Sequence, residues 1–176
     1  MATLGQINYN EVSGSNDLIP AGLYQAIIIE SGGKPDNPQT CEDGLVQSKS
    51  GKGRYLPMTF EIIEGDCKGR QLFKNFNLEN VNETAVRIAQ AEIKELLQAL
   101  NWDLAAKPCG PSDTSELHML PLTIKVAVRQ DRQSGDDRNE IKKFMVRQSA
   151  AAIAATAPGA TVAPGRAPWQ KADAAK

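Results

Sequence analysis

The sequence is poor in the residues that most catalysis needs. It has one histidine, His118, in 176 residues, and no cysteine or second histidine lies near it. That argues against a zinc site and against most acid–base and nucleophile–histidine mechanisms. The three cysteines, Cys41, Cys67 and Cys109, are far apart and odd in number. They point to a reducing compartment rather than to a disulfide framework. No apolar run approaches the roughly 18 residues of a membrane helix. The N-terminal MATLGQINYNEV lacks the basic flank and apolar run of a secretory signal. The lysine-containing loop SKSGKGR is not a Walker loop, because the earlier glycine is missing and no Ser or Thr follows Lys52. No glycine-rich dinucleotide fingerprint follows a strand, and the carboxylates do not fall into a metal-nuclease pattern. The expectation is a non-enzyme with no catalytic residues, metal or cofactor.

The remainder is globular in composition, with 41% hydrophobic and 23% charged residues. The formal net charge of -1 hides a segregated distribution. Residues 1–48 carry Glu11, Asp17, Glu30, Asp36, Glu42 and Asp43 against the single base Lys34. Residues 49–74 carry Lys49, Lys52, Arg54, Lys68, Arg70 and Lys74 against Glu61, Glu64 and Asp66. A balanced total can therefore conceal a cationic surface.

The stretch from Tyr55 to Leu78 organises the chain. Leu56, Met58, Phe60 and Ile62 share one face at period two, and Tyr55, Pro57, Thr59 and Glu61 share the other. Glu64 to Gly69 carries two glycines and an aspartate, which suit a hairpin turn. The returning arm mixes Arg70, Phe73, Lys74 and Phe76. Upstream, LYQAIIIE (Leu23 to Glu30) predicts a strand, and residues 31–54 form a long polar loop. Downstream, Val86, Ala89, Ile93, Leu96, Leu97 and Leu100 predict an amphipathic helix over Glu83 to Leu100, with Asn80 or Asn82 as cap. Trp102 reads as a plug at the core edge. Ser112 or Asp113 can cap a short turn ending near Leu117. PLTIKVAVRQ (Pro121 to Gln130) is a strand with Leu122, Ile124, Val126 and Val128 inward. EIKKFMVRQ (Glu140 to Gln148) is a last strand, with a helical alternative over 140–155. The alanine-rich residues 149–176, broken by Pro158, Pro164 and Pro168, predict a largely disordered tail after a domain spanning 1–148.

Strand, strand, strand, helix, strand, strand is the order of a mainly β, five-stranded oligonucleotide-binding (OB-like) barrel, in which the helix plugs one end and the second and third strands bind. Single strands are held by stacking platforms beside a cationic groove. The candidates for phosphate are Lys52, Arg54, Arg70 and Lys74, joined by Lys125, Arg129 and Lys142 on the later strands. The candidates for stacking are Tyr55, Phe73 and Phe76, each of which can equally be core. Alternation places Phe73 opposite in face to Arg70, Lys74 and Phe76, so no flat platform holds them all.

Pro20-Ala21-Gly22-x-Tyr24 before the isoleucine strand resembles the opening of a family of small tailed-phage proteins known as a domain of unknown function. The resemblance continues through Gly51-x-Gly53-x-Tyr55-Leu56, Phe60-Glu61-Ile62 and Gly65-x-x-Lys68-Gly69-Arg70-x-Leu72-Phe73. It extends to Phe76-Asn77-Leu78 and Leu96-x-x-Ala99-Leu100, and covers roughly residues 18–147. It implies a bacteriophage protein encoded beside DNA replication and recombination genes and working in the cytoplasm of the infected host. Some family members are described as single-stranded DNA-binding proteins. The partners so implied are single-stranded DNA and phage or host replication and recombination proteins; barrels of this kind often self-associate, which adds a homodimer to the expectations, and the lack of a long apolar run leaves out a membrane. Two rival readings stand beside DNA binding: a protein-binding accessory factor or inhibitor of a host or phage enzyme, and an RNA or duplex-DNA binder.

Overall fold

Alternation in the central stretch produces the hairpin it predicts. In a computed structural model, which describes residues 18–130 and 135–148, β3 (Gly53–Ile62) and β4 (Gln71–Asn80) pair antiparallel in the register Leu56 with Phe76, Thr59 with Phe73 and Glu61 with Gln71. Gly65 and Gly69 turn the chain at φ 85° and 80°. A Cβ at either would meet nothing within 4 Å, so left-handed backbone, rather than crowding, favours glycine there. β1 (Gly22–Ser31) pairs with the other edge of β3, β5 (Pro121–Gln130) pairs with β1, and β6 (Asp137–Met145) pairs with β5, all antiparallel. The long polar connection after β1 is not featureless: Val46–Gln47 forms a short strand, β2, opposite Tyr55 and Arg54 of β3.

The closed barrel expected from element order is not formed. The sheet has six strands in the order β4, β3, β1, β5, β6, with β2 beside the start of β3, and no ladder joins β4 to β6 among the described residues. β2 also shifts α1 (Glu83–Ala99) to a place between the fourth and fifth strands. The sheet stays open because a helix and a side chain occupy the seam. α1 packs against both β4 and β6. From β4, Lys74 donates to Glu92 Oε1 of α1 at 2.6 Å and to the Ile141 carbonyl of β6 at 3.2 Å, with its Nζ 5.8 Å from the Phe76 ring centre.

The inner faces meet in one core. Leu56, Met58, Phe60 and Ile62 of β3, Leu72 and Phe76 of β4, Ala26 and Ile28 of β1, and Leu122, Ile124 and Val126 of β5 are buried there. Phe144 of β6 packs its ring 5.5 Å from Phe60 and 6.2 Å from Phe76, a tilted aromatic cluster that adds to plain area burial. Val128 departs from the expected inward set and is 40% exposed, beyond the reach of the core at the end of β5.

α1 buries Ala89, Leu96 and Leu97 from its apolar stripe, with Ala99 beside them. Asn82, not Asn80, is its cap, accepting from the Thr84 amide at 3.0 Å, and Asn80 accepts from the Asn82 amide. Asp113 caps the turn Thr114–Leu117 in a reciprocal box with Glu116. Its carboxyl is held below the usual range chiefly by the Ser115 amide. Trp102 packs on the core edge as expected. The last strand begins at Asp137 and ends at Met145, so residues 140–145 are strand and not helix. The expected tail at 149–176 and residues 1–17 lie outside the described residues.

Candidate functional site

The outer face of the sheet follows from the registers. On β5 and β6, Lys125 stands directly opposite Lys143, Ala127 opposite Glu140, and Arg129 opposite Arg138. Lys142 is the extra residue of a bulge where the register shifts between Lys125 and Val126. Arg129 Nη1 reaches Glu140 Oε2 at 3.5 Å and Lys142 Nζ reaches the same oxygen at 2.7 Å. The Lys142 contact, ahead of Arg129, holds the Glu140 carboxyl below its ordinary range against the opposing effect of burial. Glu140 thus answers two of these bases. Lys125 and Lys143 are both exposed and have no ion-pair partner among the described residues. Like charges directly across a ladder destabilise a sheet, so this pair does not itself stabilise the fold.

Lys125, Arg129 and Lys142 are therefore brought together, and Lys143 and Arg138 complete the group. The sequence reading missed those two. The signal for Lys143 was present: Ile141 and Phe144, both inward, are three apart rather than two, which demands a bulge and leaves Lys143 on the outer face.

The hairpin candidates separate. Lys74 is on the core side in the seam, and Phe76 is fully buried; neither can meet a strand of nucleic acid. Arg54 is held by Asp43 at 2.8 Å and by both Glu79 oxygens, a bidentate clamp that raises its pKa and lowers that of Glu79. Its charge is already answered. Arg70 is half-buried near Tyr24, whose hydroxyl is pushed up by burial and then by Cys67, with Arg70 opposing. Lys52 is exposed on the β2–β3 turn and stays available with Lys49. Phe73 is 71% exposed on the outer face, and half-buried Tyr55 shares that face.

The sequence matches the family described as Protein of unknown function (DUF669) over residues 5–155. The chain belongs to that family of small tailed-phage proteins. The match spans every described element of this DUF669 fold. Comparison with curated proteins found no match.

Between the cationic and aromatic halves of the DUF669 outer face, the chain after β6 crosses the sheet. Gln148 donates its amide to Thr123 Oγ1 at 2.9 Å and accepts at its carbonyl from Gln25 Nε2, and Arg147 reaches Glu64 at 3.4 Å. This crossing accounts for two polar residues on the outer face, Gln25 and Thr123, being buried. On the opposite side of the sheet, Leu56, Met58, Leu78, Ile93, Leu97 and Leu104 line an apolar cavity of about 570 Å³ beside the end of α1. Among the described residues no cluster of acidic, His or Cys side chains could hold a metal, and no helix is long and apolar enough to cross a membrane.

Proposed function

We propose that this DUF669 protein is a non-catalytic binder of single-stranded DNA, serving phage replication or recombination in the cytoplasm of the infected host. The observation that carries the reading is the exposed cross-strand pair Lys125–Lys143 beside Arg129, Arg138 and Lys142, with Glu140 paired to Arg129 and Lys142. A phosphate backbone would relieve that repulsion, and counter-ion release would drive binding. Exposed Phe73, with half-buried Tyr55 on the same face of the sheet, supplies the sequence-tolerant stacking that single strands use.

The test is fluorescence anisotropy of a labelled oligo-dT against salt. Affinity should fall steeply as salt rises, and Lys125→Gln with Lys143→Gln should flatten the log–log slope by about 1.4, at about 0.7 per lost contact on a single strand. Absence of binding at low salt, or a double variant identical to the parent, refutes the reading. Competition with RNA and duplex DNA decides among nucleic acids.

A second reading, a protein-binding accessory factor, is favoured by the apolar cavity beside α1. It predicts that Leu104→Asp abolishes capture of a phage or host protein while leaving oligo-dT binding intact.

A further inference from the structure

Phe73 is the most exposed aromatic that the described fold places on a strand, and it stands at the mouth of a cleft. The cleft occupies about 230 Å³ on the outer face of β3 and β4, with Tyr55, Pro57 and Thr59 from β3, and Phe73 and Asn75 from β4. The connection after β1 forms its far wall through Glu30, Lys34 and Asn37. That wall is built, not draped. Gly32 donates to the Pro57 carbonyl at 2.9 Å, Gly33 donates to the Gly44 carbonyl at 2.8 Å, and Thr40 Oγ1 donates to the Lys34 carbonyl at 2.8 Å. A Cβ on Gly33 would lie 2.4 Å from Thr40 Oγ1 and 2.6 Å from Val46 Cγ2, so only glycine lets the wall come this close.

The chemistry of the lining is specific. Aromatic surface forms one side, and the polar groups are mixed in kind. Asn75 presents an amide with no partner among the described residues. Asn37 spends its oxygen on the Gln39 amide at 3.0 Å and keeps its NH₂ for a ligand. Glu30 is an acceptor, and Lys34 is an exposed cation at the rim. The volume is below the roughly 300 Å³ at which drug-sized pockets begin, which suits a single flat ring. A planar group with a hydrophobic face, a polar edge carrying both donors and acceptors, and an attached anion answers every wall.

We infer that this cleft takes one nucleobase of the bound strand, stacked on Phe73 with its polar edge toward Asn75 and Asn37, and with Lys34 beside its phosphate. This rests on the proposed single-strand binding and adds a base-dependent contact to a phosphate-dependent one. The cationic face of β5–β6 cannot distinguish a strand with bases from one without; the cleft can.

The test compares a labelled oligo-dT with an abasic oligonucleotide of the same length, which carries the same phosphates, at one salt concentration. The full chain should bind oligo-dT about fivefold to 150-fold more tightly, the range for one stacked base. Phe73→Ala and Asn75→Ala should shrink that ratio, while Lys125→Gln with Lys143→Gln should weaken both ligands and leave the ratio unchanged. Phe73 is a surface residue, so an unchanged melting temperature shows that the variant is folded. Equal affinity of the parent for both oligonucleotides overturns the base cleft and leaves phosphate binding standing. A preserved ratio in a folded Phe73→Ala also overturns it. Failure to bind either ligand overturns the proposed function and the cleft together.

Discussion

Replacing Lys74 by methionine tests whether this lysine belongs to the fold or to a ligand. Its ammonium links β4, α1 and β6: it reaches Glu92 Oε1 at 2.6 Å and the Ile141 carbonyl at 3.2 Å. Hydrogen bonds to charged groups are worth about 1.5–3 kcal/mol net. The lysine side chain is 12% exposed and the Glu92 side chain 30% exposed, so water partly screens the pair and the lower end applies. Methionine keeps most of the packing of the lysine stem. The expected loss is therefore about 2 kcal/mol, which for a fold of this size lowers the melting temperature by roughly 6–12 °C. Urea denaturation of Lys74→Met, Glu92→Leu and the double variant gives the coupling. The double variant should recover part of the loss, because it leaves neither partner alone in the seam. Oligo-dT affinity should not change in any of the three. A Lys74→Met protein that melts like the parent but loses DNA affinity would refute the assignment and put the ammonium in solvent.

Two more consequences follow from side chains around the same sheet. Glu140→Gln removes the acid that pairs with Arg129 and Lys142, so oligo-dT should bind more tightly and with a steeper salt dependence at neutral pH. The Glu140 pKa is lowered from 4.5 in the fold, so its stabilising contribution is complete above that pH and lost as pH falls through the lower folded value. The stability difference between parent and Glu140→Gln should shrink over that acid window, and a difference that grows there would contradict the ion pairs. Asn139 pairs with the backbone of Ile19 as a strand would, accepting from its amide at 2.8 Å and donating to its carbonyl at 2.6 Å. Asn139→Ala should cost about 1–2 kcal/mol and speed hydrogen exchange at the Ile19 amide; unchanged exchange would show that burial of Ile19 holds the arm without the side chain.

Local patterns carried much of the fold. Alternation placed Leu56, Met58, Phe60 and Ile62 on one face, the three- and four-residue stripe placed α1, and the glycine-bearing turn joined β3 to β4. These signals are legible because side-chain direction within a strand or helix is set by the residue's own backbone. The same alternation already grouped Lys74 with Phe76 and separated both from Phe73. It could not say which group was inside, because that depends on which residue of β3 lies opposite: Leu56 faces Phe76, and Thr59 faces Phe73.

Everything that defines the candidate site is of that second kind. Lys125 meets Lys143 through a register between strands, and Arg54 is neutralised by Asp43 from a loop and Glu79 from β4. The cleft at Phe73 needs a wall brought from the connection after β1. Barrel closure failed as an expectation for the same reason. Element order specifies which strands exist, whereas closure requires the two edge strands to bond each other. Here the seam between β4 and β6 is filled by α1 and Lys74. Sequence thus determined the long strands, the helix and the phage family to which the chain belongs, but not β2. Long-range packing alone settled that the sheet is open, that Phe76 and Lys74 point inward, and that Lys125 and Lys143 face each other across β5 and β6, because each depends on partners distant in the chain.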